Sequence, residues 1–513
     1  MSDEHVADPG SDPEEGHGRE AEVLRARRES LERLRAAGVE PFAMTFDADP
    51  DHATDLRDRY PALEPGAETA DAVTVAGRVV QRRDFGKLTF LVVRDRTGDI
   101  QLMCVKDELG DAAQVANEVD LGDIIGARGV VGTSKKGELQ VKVRELTMLT
   151  KSLRPLPEKW HGLKDPDLQQ RRRYVHLIVD DAPRRYVLAR AASLKTMRRV
   201  LDEQGYLEFE GPMLQTVAGG ANARPFTTYH HVLDTEMKLR ISLELFLKRM
   251  MVGGMERVYE LGRTFRNEGI DRDHNPEFTM LEAYRAFGDY HTMMELSETL
   301  IRECARAVGP IMGRDPDDLV VPYRELRVDL APAFARMTIL GGVSEAVGEP
   351  VTLDRPDLDR VAERNGVPLD PAWGPGKIVQ ELFEKLVEGT IEQPTFVCDF
   401  PREVSPLARP HREDPGLTEH FDLVIGGLEL VTAFSELTDP DEQRAKFEDQ
   451  LRAKEAGDEE AHPLDEDFLR ALEHGMPPAG GLGLGIDRLL MLLTDAPSLR
   501  DLIMFPSHRL EGA

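Results

Sequence analysis

Long apolar runs are missing from this 513-residue chain. It contains no stretch of about 18 consecutive apolar residues, the length that a helix needs to span a bilayer. The first residues, MSDEHVADPGSDPEEGHGRE, are acidic and polar, the opposite of a signal or transit peptide. We therefore expect no membrane partner. So few apolar residues cannot support a packed core, and residues 1–18 are predicted to form a disordered acidic tail.

Cysteine is also scarce. Cys104, Cys304 and Cys398 are odd in number and far apart in the sequence. This pattern argues against a disulfide framework and a zinc site, and it favours a reducing compartment. We expect a cytoplasmic protein. A chain of this length is too long for one core, so two or three domains are expected.

Basic residues are in deficit over the whole chain, which has a net charge of −29. The deficit is not uniform, because residues 71–180 contain 19 Lys and Arg against 16 Asp and Glu, a net charge of +3. A mildly basic module on an acidic body is compatible with local, salt-sensitive contact with a nucleic acid. A solvated surface that is merely less acidic is the alternative.

Hydropathy patterning predicts an N-terminal helix and a barrel. Apolar residues at helical spacing run from Arg19 to a capping Gly38, so residues 19–70 are predicted to be a helix and a connector. Period-two alternation then indicates five strands and one short helical stretch in residues 71–150. This is the pattern of an all-β OB-fold barrel, a frequent oligonucleotide binder. The predicted strands are VTVAGRVV, LTFLVVRD, IQLMCV, DIIGARGVV and ELQVKVREL.

The rest of the chain is predicted to be one large domain. A Pro-rich bridge and the basic run QQRRRY indicate a hinge at residues 151–180. In residues 181–511 helix and strand signals mix without βαβ alternation, which favours an α+β fold with an antiparallel sheet and flanking helices. Residues 310–389 are polar and are predicted to be a helical insertion. The strand YLEFEGPML is predicted near the start of the domain.

Chemistry is concentrated in the stretch FRNEGIDRDHNPEFTMLEAY, residues 265–284. It is predicted to join two antiparallel strands through a polar loop. Arg266 and Glu268 share parity on the first strand, and Phe278 and Glu282 share parity on the second. Arginine, carboxylate and an aromatic ring on one face suit a nucleoside triphosphate beside a cationic group. A salt-bridged structural hairpin is the alternative.

A second stretch, GGLGLGIDRLLMLLT, is a glycine-rich strand that enters an apolar helix at residues 480–494. It matches neither the dinucleotide-binding fingerprint nor the P-loop. Arg488, at the junction, can reach a phosphate that the glycine backbone leaves accessible. Close packing alone would also explain the glycines.

These two stretches and GYLEFEGPM resemble the three signature motifs of class II aminoacyl-tRNA synthetases. Together with GGANARPF, LELFLKR, EVSPLAR and FSEL, they are similar to the bacterial lysyl-tRNA synthetases over residues 19–506. The resemblance implies a class II antiparallel sheet with flanking helices, a homodimer formed around Pro212, and ligation of L-lysine to lysine tRNA with ATP. It also implies an anticodon-reading barrel, in which Phe90, Gln101 and Glu138 contact the bases.

The resemblance further implies roles for individual residues of the catalytic domain. The implied catalytic residues are Arg266 and Arg488. Implied contacts to ATP are Arg266, Glu268, His274, Asn275, Phe278, Glu429 and Arg488. Implied contacts to lysine are Gly220, Glu244, Arg266, Glu282, Tyr284, Thr432 and Glu436. The implied ligands of Mg²⁺ are Asp422 and Glu429, whose hard oxygens suit this cation.

Two positions depart from the family pattern. Thr432 stands where many members have an Asn that holds the substrate carboxylate, so that carboxylate is expected to depend more on Arg266. Asp422 is often Glu in relatives, which is expected to shift the metal slightly. Two other functions stay open on the sequence: a paralogue that passes lysine to a non-tRNA acceptor, and a non-catalytic RNA-binding regulator.

Overall fold

The structure, a computed structural model, describes residues 13–157, 163–371, 373–455 and 463–508. The chain divides into two compact units, residues 1–162 and 163–513. Most of the predicted acidic tail, residues 1–12, lies outside the described residues. Among the helices that are described, none combines the length and the apolar character needed to cross a bilayer.

The N-terminal unit is built on a closed five-stranded barrel with the strand order β1-β2-β3-β5-β4. Alternate side chains of these strands, among them Val75, Leu91 and Leu102, fill one apolar core. This confirms the predicted OB-type barrel. Its elements are α1 (Pro13–Ala36), α2 (Ala53–Arg59), β1 (Glu68–Phe85), β2 (Leu88–Arg94), β3 (Asp99–Val105), α3 (Ala113–Glu118), β4 (Ile124–Thr133) and β5 (Leu139–Thr150).

The first helix begins six residues before the predicted start at Arg19, since α1 starts at Pro13. Proline is compatible with the first turn of a helix, where its missing N–H has no partner to lose. Buried Arg27 holds this helix to the barrel by donating to the backbone carbonyls of Leu121 at 2.8 Å and Arg154 at 2.9 Å.

The C-terminal unit is organised around an eight-stranded sheet with the order β14-β15-β16-β17-β18-β11-β10-β6. Only the two outermost pairs, β14 with β15 and β10 with β6, are parallel. This antiparallel-dominated sheet with flanking helices is the predicted α+β fold. A separate three-stranded sheet has the order β7-β9-β8, and β12 pairs with β13. The strands of the C-terminal unit are β6 (Leu207–Glu208), β7 (Leu214–Gln215), β8 (Thr227–His230), β9 (Thr235–Leu239), β10 (Arg257–Phe265), β11 (Glu277–Ala286), β12 (Val320–Tyr323), β13 (Leu326–Asp329), β14 (Ala335–Thr338), β15 (Thr395–Cys398), β16 (His420–Ile425), β17 (Leu428–Ser435) and β18 (Ala479–Gly485).

Helices cover this sheet, and α6, α8 and α14 contribute apolar side chains such as Met197, Leu300 and Leu490 to its main core. The helices of the unit are α4 (Pro166–Arg171), α5 (Arg173–Val179), α6 (Ala182–Glu203), α7 (Glu244–Val252), α8 (Tyr290–Val308), α9 (Ile339–Val347), α10 (Leu358–Arg364), α11 (Pro375–Leu386), α12 (Pro440–Glu455), α13 (Glu466–Glu473), α14 (Ile486–Thr494) and α15 (Leu499–Leu502).

Three local predictions need correction. The strand YLEFEGPML is not continuous, because only β6 and β7 form at its two ends and the Gly211-Pro212 pair between them cannot extend a ladder. Strand β10 ends at Phe265, so Arg266 and Glu268 lie in the loop beyond it. Residues 310–389 are not all helical, since β12, β13 and β14 lie within them and β14 forms the edge of the main sheet.

Candidate active site

A cavity of about 320 Å³ lies over the strands β11, β17 and β18. The side chains of β11 that share one face, from Phe278 to Tyr284, all line it. Most residues implied by the sequence resemblance meet here: Gly220, Glu244, Arg266, Glu268, His274, Asn275, Phe278, Glu282, Tyr284, Glu429, Thr432 and Arg488. Asp422 and Glu436 do not line this cavity but border neighbouring ones.

Arg266 projects into the cavity beside the Phe278 ring, with 5.1 Å between the guanidinium carbon and the ring centroid. Its Nε donates to the backbone carbonyl of Ile241 at 3.3 Å. Burial lowers the pKa of the guanidinium, although arginine stays charged at neutral pH. Within the described residues no carboxylate lies within ion-pair distance of it, so its remaining donors are available to an anionic ligand.

Arg488 and His274 lie together at the other end of the cavity. Arg488 Nη1 donates to the backbone carbonyl of Glu429 at 2.9 Å, and its Nη2 lies 3.3 Å from His274 Nε2. The neighbouring Asp487 is buried and accepts from the backbone N–H of Thr279 at 2.8 Å. Because Asp487 joins α14 to β11, Arg488 is held at a fixed position relative to Phe278 on that strand.

Asn275 and Glu268 lie on the loop between β10 and β11. Asn275 is buried, and its Nδ2 donates to the backbone carbonyl of Glu277 at 2.6 Å. Its Oδ1 accepts no hydrogen bond from the described residues, so the amide retains an unused acceptor. Glu268 is exposed at the mouth of the cavity.

Carboxylates gather beside Arg488. Asp422 and Glu429 border a second cavity of about 420 Å³ together with Glu384 and Glu388. Burial, and then the charge of Asp422, raise the pKa of Glu429. Burial and the charge of Glu429 raise the pKa of Glu388 to about 7. The described residues contain no three His, Cys, Asp or Glu side chains that converge as a complete metal centre.

This donor set fits Mg²⁺. The cation commonly takes one or two protein carboxylates and completes its shell with water and substrate phosphates. Burial and then the charge of Asp422 raise the pKa of Glu429, and a bound cation would offset that repulsion. Asp422 and Glu429 would supply the protein ligands.

A second group of carboxylates lies at the opposite end of the main cavity. Glu282 accepts from the backbone N–H of Leu243 at 2.9 Å and from the Tyr284 hydroxyl at 3.0 Å. Burial, followed by repulsion from Glu244, raises the pKa of Glu282 to about 8. Three buried carboxylates close together, Glu244, Glu282 and Glu436, create a strong preference for a cation.

Glu436 is the most deeply buried of the three, with 1% of its surface exposed. Its Oε2 lies 2.5 Å from the ammonium of Lys248, whereas Oε1 accepts no hydrogen bond from the described residues. Its pKa is raised to about 8, first by burial. A buried carboxylate oxygen without a partner is unfavourable, so Glu436 can still gain from a second cation.

Lys248 was missed by the sequence reasoning. It is fully buried on α7, and its Nζ lies 2.5 Å from Glu244 Oε1 and 2.5 Å from Glu436 Oε2. The spacing of Glu244 and Lys248 by four residues in LELFLKR is the signal that could have identified the first pair. Nothing in the local pattern indicates the second pair, because Glu436 follows 188 residues later.

Two glycines allow the backbone to approach this end of the cavity. Gly220 has φ +90°, and a Cβ there would lie 2.1 Å from Ser242 Oγ. A Cβ on Gly481 of β18 would lie 2.0 Å from Glu436 Oε1 and 2.4 Å from Tyr284 Cε1. The floor of the cavity beside Glu436 is therefore main chain rather than side chain.

Thr432 is already engaged. Its hydroxyl donates to Asp422, its direct cross-strand neighbour on β16. The two positions that depart from the family pattern are thus hydrogen bonded to each other. The Thr432 hydroxyl proton is directed toward the carboxylate group rather than toward the centre of the cavity.

Comparison with known proteins agrees with this geometry. Residues 165–509 match the family model described as class II tRNA synthetases for D, K and N. The chain belongs to this family. Residues 73–149 of the synthetase match the OB-fold nucleic acid binding domain.

Curated relatives cover nearly the whole synthetase. The lysine–tRNA ligase of Moorella thermoacetica is 47% identical over 497 residues, which are 96% of this chain and 98% of the relative. That of Thermosynechococcus vestitus is 48% identical over 502 residues, with 96% and 98% covered. That of a Synechococcus species is 48% identical over 497 residues, with 96% and 100% covered.

In the N-terminal unit of the synthetase, Phe90 lies partly exposed on β2 and is not part of the barrel core. The Arg83 guanidinium carbon lies 6.0 Å from the centroid of its ring, and Arg83 Nη2 donates to Gln101 Oε1 at 2.6 Å. Gln101 is buried and donates from Nε2 to Gln140 at 3.0 Å. Glu138 is exposed, two residues before Gln140. Arg83 thus joins Phe90 and Gln101, while Glu138 stands apart at the turn before β5.

Exposed apolar side chains follow Pro212 in the synthetase: Met213 and Leu214 are each 45% exposed. Val232 and Leu233, in the turn between β8 and β9, are 88% and 62% exposed. Exposed apolar side chains that group on a surface are typical of a protein interface.

Proposed function

We propose that this chain ligates L-lysine to the 3′ end of lysine tRNA through a lysyl-adenylate, with ATP as the energy source. The observation that carries the proposal is the group of three buried carboxylates, Glu244, Glu282 and Glu436, which outnumber the one ammonium, that of Lys248, paired with two of them. Such a pocket selects an amino acid whose side chain ends in a cation. The names of the curated relatives support the same substrate.

In the first step the lysine carboxylate attacks the α-phosphorus of ATP, and pyrophosphate leaves with the electron pair of the broken P–O bond. Arg266 binds both the carboxylate and the α-phosphate, so its charge stabilises the anionic transition state. Support comes from its position in the cavity with donors that no carboxylate occupies. The adenine ring stacks on Phe278. The guanidinium carbon of Arg266 lies 5.1 Å from the centroid of the Phe278 ring.

The phosphate tail of ATP extends toward Arg488. Arg488 and His274 bind the β- and γ-phosphates, and Asn275 lies on the same side of the cavity. Glu268, at the mouth, binds the adenine or ribose. Mg²⁺ held by Asp422 and Glu429 would supply charge neutralisation and orientation of the phosphates.

Lysine lies in the opposite direction, with its ammonium among Glu282, Tyr284 and Glu436. Glu244 and the backbone near Gly220 hold the α-amino group. Because the Thr432 hydroxyl donates to Asp422, the substrate carboxylate depends on Arg266. Methionine or leucine brings no side-chain cation to balance the negative charge of these carboxylates, so their rejection is strong.

In the second step a 3′-terminal ribose hydroxyl of the tRNA attacks the lysyl carbonyl carbon, and AMP leaves. Residues 71–150 bind the anticodon of this tRNA, with residues 151–180 as the connection to the catalytic residues 181–511. Phe90 stacks on a base, and Gln101 and Glu138 bind base edges. The partly exposed ring of Phe90 and the mildly basic charge of residues 71–180 support this role.

The active form is a homodimer that joins two copies around Pro212. The exposed apolar side chains of Met213, Leu214, Val232 and Leu233 support this surface. Burying them against a second copy removes apolar area from water, at about 25 cal/mol per Å².

ATP–pyrophosphate exchange with each amino acid in turn tests the amino-acid specificity. We expect exchange with lysine alone, followed by charging of purified lysine tRNA. Lysine-dependent exchange without charging, but with transfer to a protein lysine, would favour the paralogue with another acceptor. RNA binding without any exchange would favour the non-catalytic regulator.

A further inference from the structure

The ion pairs of Lys248 are not explained by binding of either substrate. Its Nζ is held 2.5 Å from Glu244 Oε1 and 2.5 Å from Glu436 Oε2 and lies 5.4 Å from the centroid of the Phe434 ring. The ammonium has no exposed surface. Glu244 lines the main cavity and Glu436 lies directly behind its floor at Gly481. A buried ammonium placed between these two carboxylates is a fixed element of the pocket's charge.

Other charged and titratable groups surround Lys248 and its two carboxylates. Glu282 and Tyr284 on β11 face the same group of carboxylates, and the charge of Arg266 acts on Glu282. Arg249, the next residue on α7, is directed away, since it pairs with Asp465 and Asp467 beside α13. With the three carboxylates ionised, Lys248 and Arg266 leave the pocket with one net negative charge.

The net negative charge of the pocket is equal and opposite to the net charge of free lysine. Free lysine carries two ammonium groups and one carboxylate, so it brings one net positive charge and neutralises the pocket. An amino acid with an uncharged side chain brings no net charge and leaves the pocket negative. Without Lys248 the pocket would hold two net negative charges. Protonation of one of its carboxylates would then be favoured, because it reduces the repulsion between them.

We infer that Lys248 is a positioning residue for lysine recognition, a resident cation that favours the ionised forms of Glu436 and Glu244 and, once the three carboxylates are ionised, sets the pocket charge to that of one lysine. This inference rests on the proposed function. Lys248 attracts both carboxylates in the lysine-free protein and opposes the rise in their pKa that burial causes. Lysine therefore competes with fewer protons for its binding site.

Lys248→Met tests this, because methionine keeps most of the length and removes the charge. The Michaelis constant for lysine is measured by pyrophosphate exchange between pH 6.5 and 8.5, with ATP saturating. We expect the inflection in that constant to move to higher pH. The loss at pH 7 should be about tenfold or more, since one pKa unit corresponds to a tenfold change in the ionised fraction. The Michaelis constant for ATP should hardly change.

A purely structural role predicts otherwise. A loss of lysine binding that is the same at every pH, or a fall in kcat with both Michaelis constants unchanged, would overturn the inference. Lys151→Met is the matched control, because Lys151 is equally buried and pairs with Asp120 and Asp123 in the N-terminal unit. It should leave the pH dependence of lysine activation as in the wild type.

Lys248→Arg keeps the inference testable if the Met variant does not fold. Arginine retains the charge but is larger. The Michaelis constant for lysine can therefore rise, while the inflection in its pH dependence stays at the wild-type pH. A shifted inflection in this variant would contradict the inference. Wild-type enzyme that shows no lysine-dependent exchange would instead refute the proposed function, which separates the two failures.

Discussion

Gly481→Ala is a sharp test of the lysine pocket, because it adds one methyl group where the structure has no space. The new Cβ would lie 2.0 Å from Glu436 Oε1 and 2.4 Å from Tyr284 Cε1. Strand β18 is hydrogen bonded to β11 on one side and β17 on the other, so the backbone cannot retreat. Glu436 and Tyr284 must move instead, and both belong to the proposed ammonium site.

The magnitude follows from overpacking, which typically costs about 1–3 kcal/mol. If the displaced groups are those that bind lysine, this cost appears in lysine activation as a loss of about 5-fold to about 150-fold. The assay is pyrophosphate exchange with lysine and ATP varied separately, accompanied by thermal unfolding. We expect the loss in the Michaelis constant for lysine, with that for ATP nearly unchanged.

Gly483→Ala provides a graded comparison two residues along the same strand. Its Cβ would meet Met280 Cε at 3.2 Å, and the end of a flexible side chain can move aside. We expect a clearly smaller effect than at Gly481. Equal effects at the two positions, or a Gly481→Ala defect confined to ATP, would refute the placement of Glu436 and Tyr284 around the lysine ammonium.

Three further changes test other parts of the site. Arg266→Ala should lower kcat for pyrophosphate exchange by at least about 100-fold in a folded protein, since removal of one preorganised donor to a transition-state anion has effects of this size; near-normal exchange would reject its role. Phe90→Ala should weaken tRNA charging while exchange without tRNA is unchanged, and a parallel fall of both activities would make the ring structural. The Michaelis constant for lysine should decrease as pH rises from 6 to about 8, because Glu282 and Glu436, with pKa values raised to about 8, are mostly protonated at pH 6 and gain the charge that attracts an ammonium as the pH approaches 8; the pH series described for Lys248 measures this, and a constant value across the range would contradict it.

The barrel and the strands around the cavity could be predicted because their patterns are local. Each barrel strand alternates apolar and polar residues, and residues 278–284 place four cavity-lining side chains on one face by the same alternation. The break between β6 and β7 was missed, although Gly211-Pro212 carries a local signal against a continuous strand. The motif resemblance also brought together residues that are distant in sequence, such as Arg266 and Arg488.

Relations between distant segments could not be predicted in the same way. The contact of Lys248 with Glu436 depends on how α7 packs beside the end of β17, which no periodicity reports. The hydrogen bond from Thr432 to Asp422 requires the register of β16 and β17. The strand β14 looked like part of a polar insertion, because only its pairing with β15 makes it part of the sheet.

The glycine floor of the cavity has a consequence for inhibition by lysine mimics. Wherever a compound rests on Gly481 or Gly483, it touches main-chain atoms that a change of side chain does not remove. The only substitutions possible at Gly481 add atoms, and the first added atom, a Cβ, would lie 2.0 Å from Glu436 Oε1. A variant that excludes the inhibitor in this way also impairs its own use of lysine. Resistance to such compounds is therefore expected to arise on the ATP side of the cavity or through higher enzyme levels.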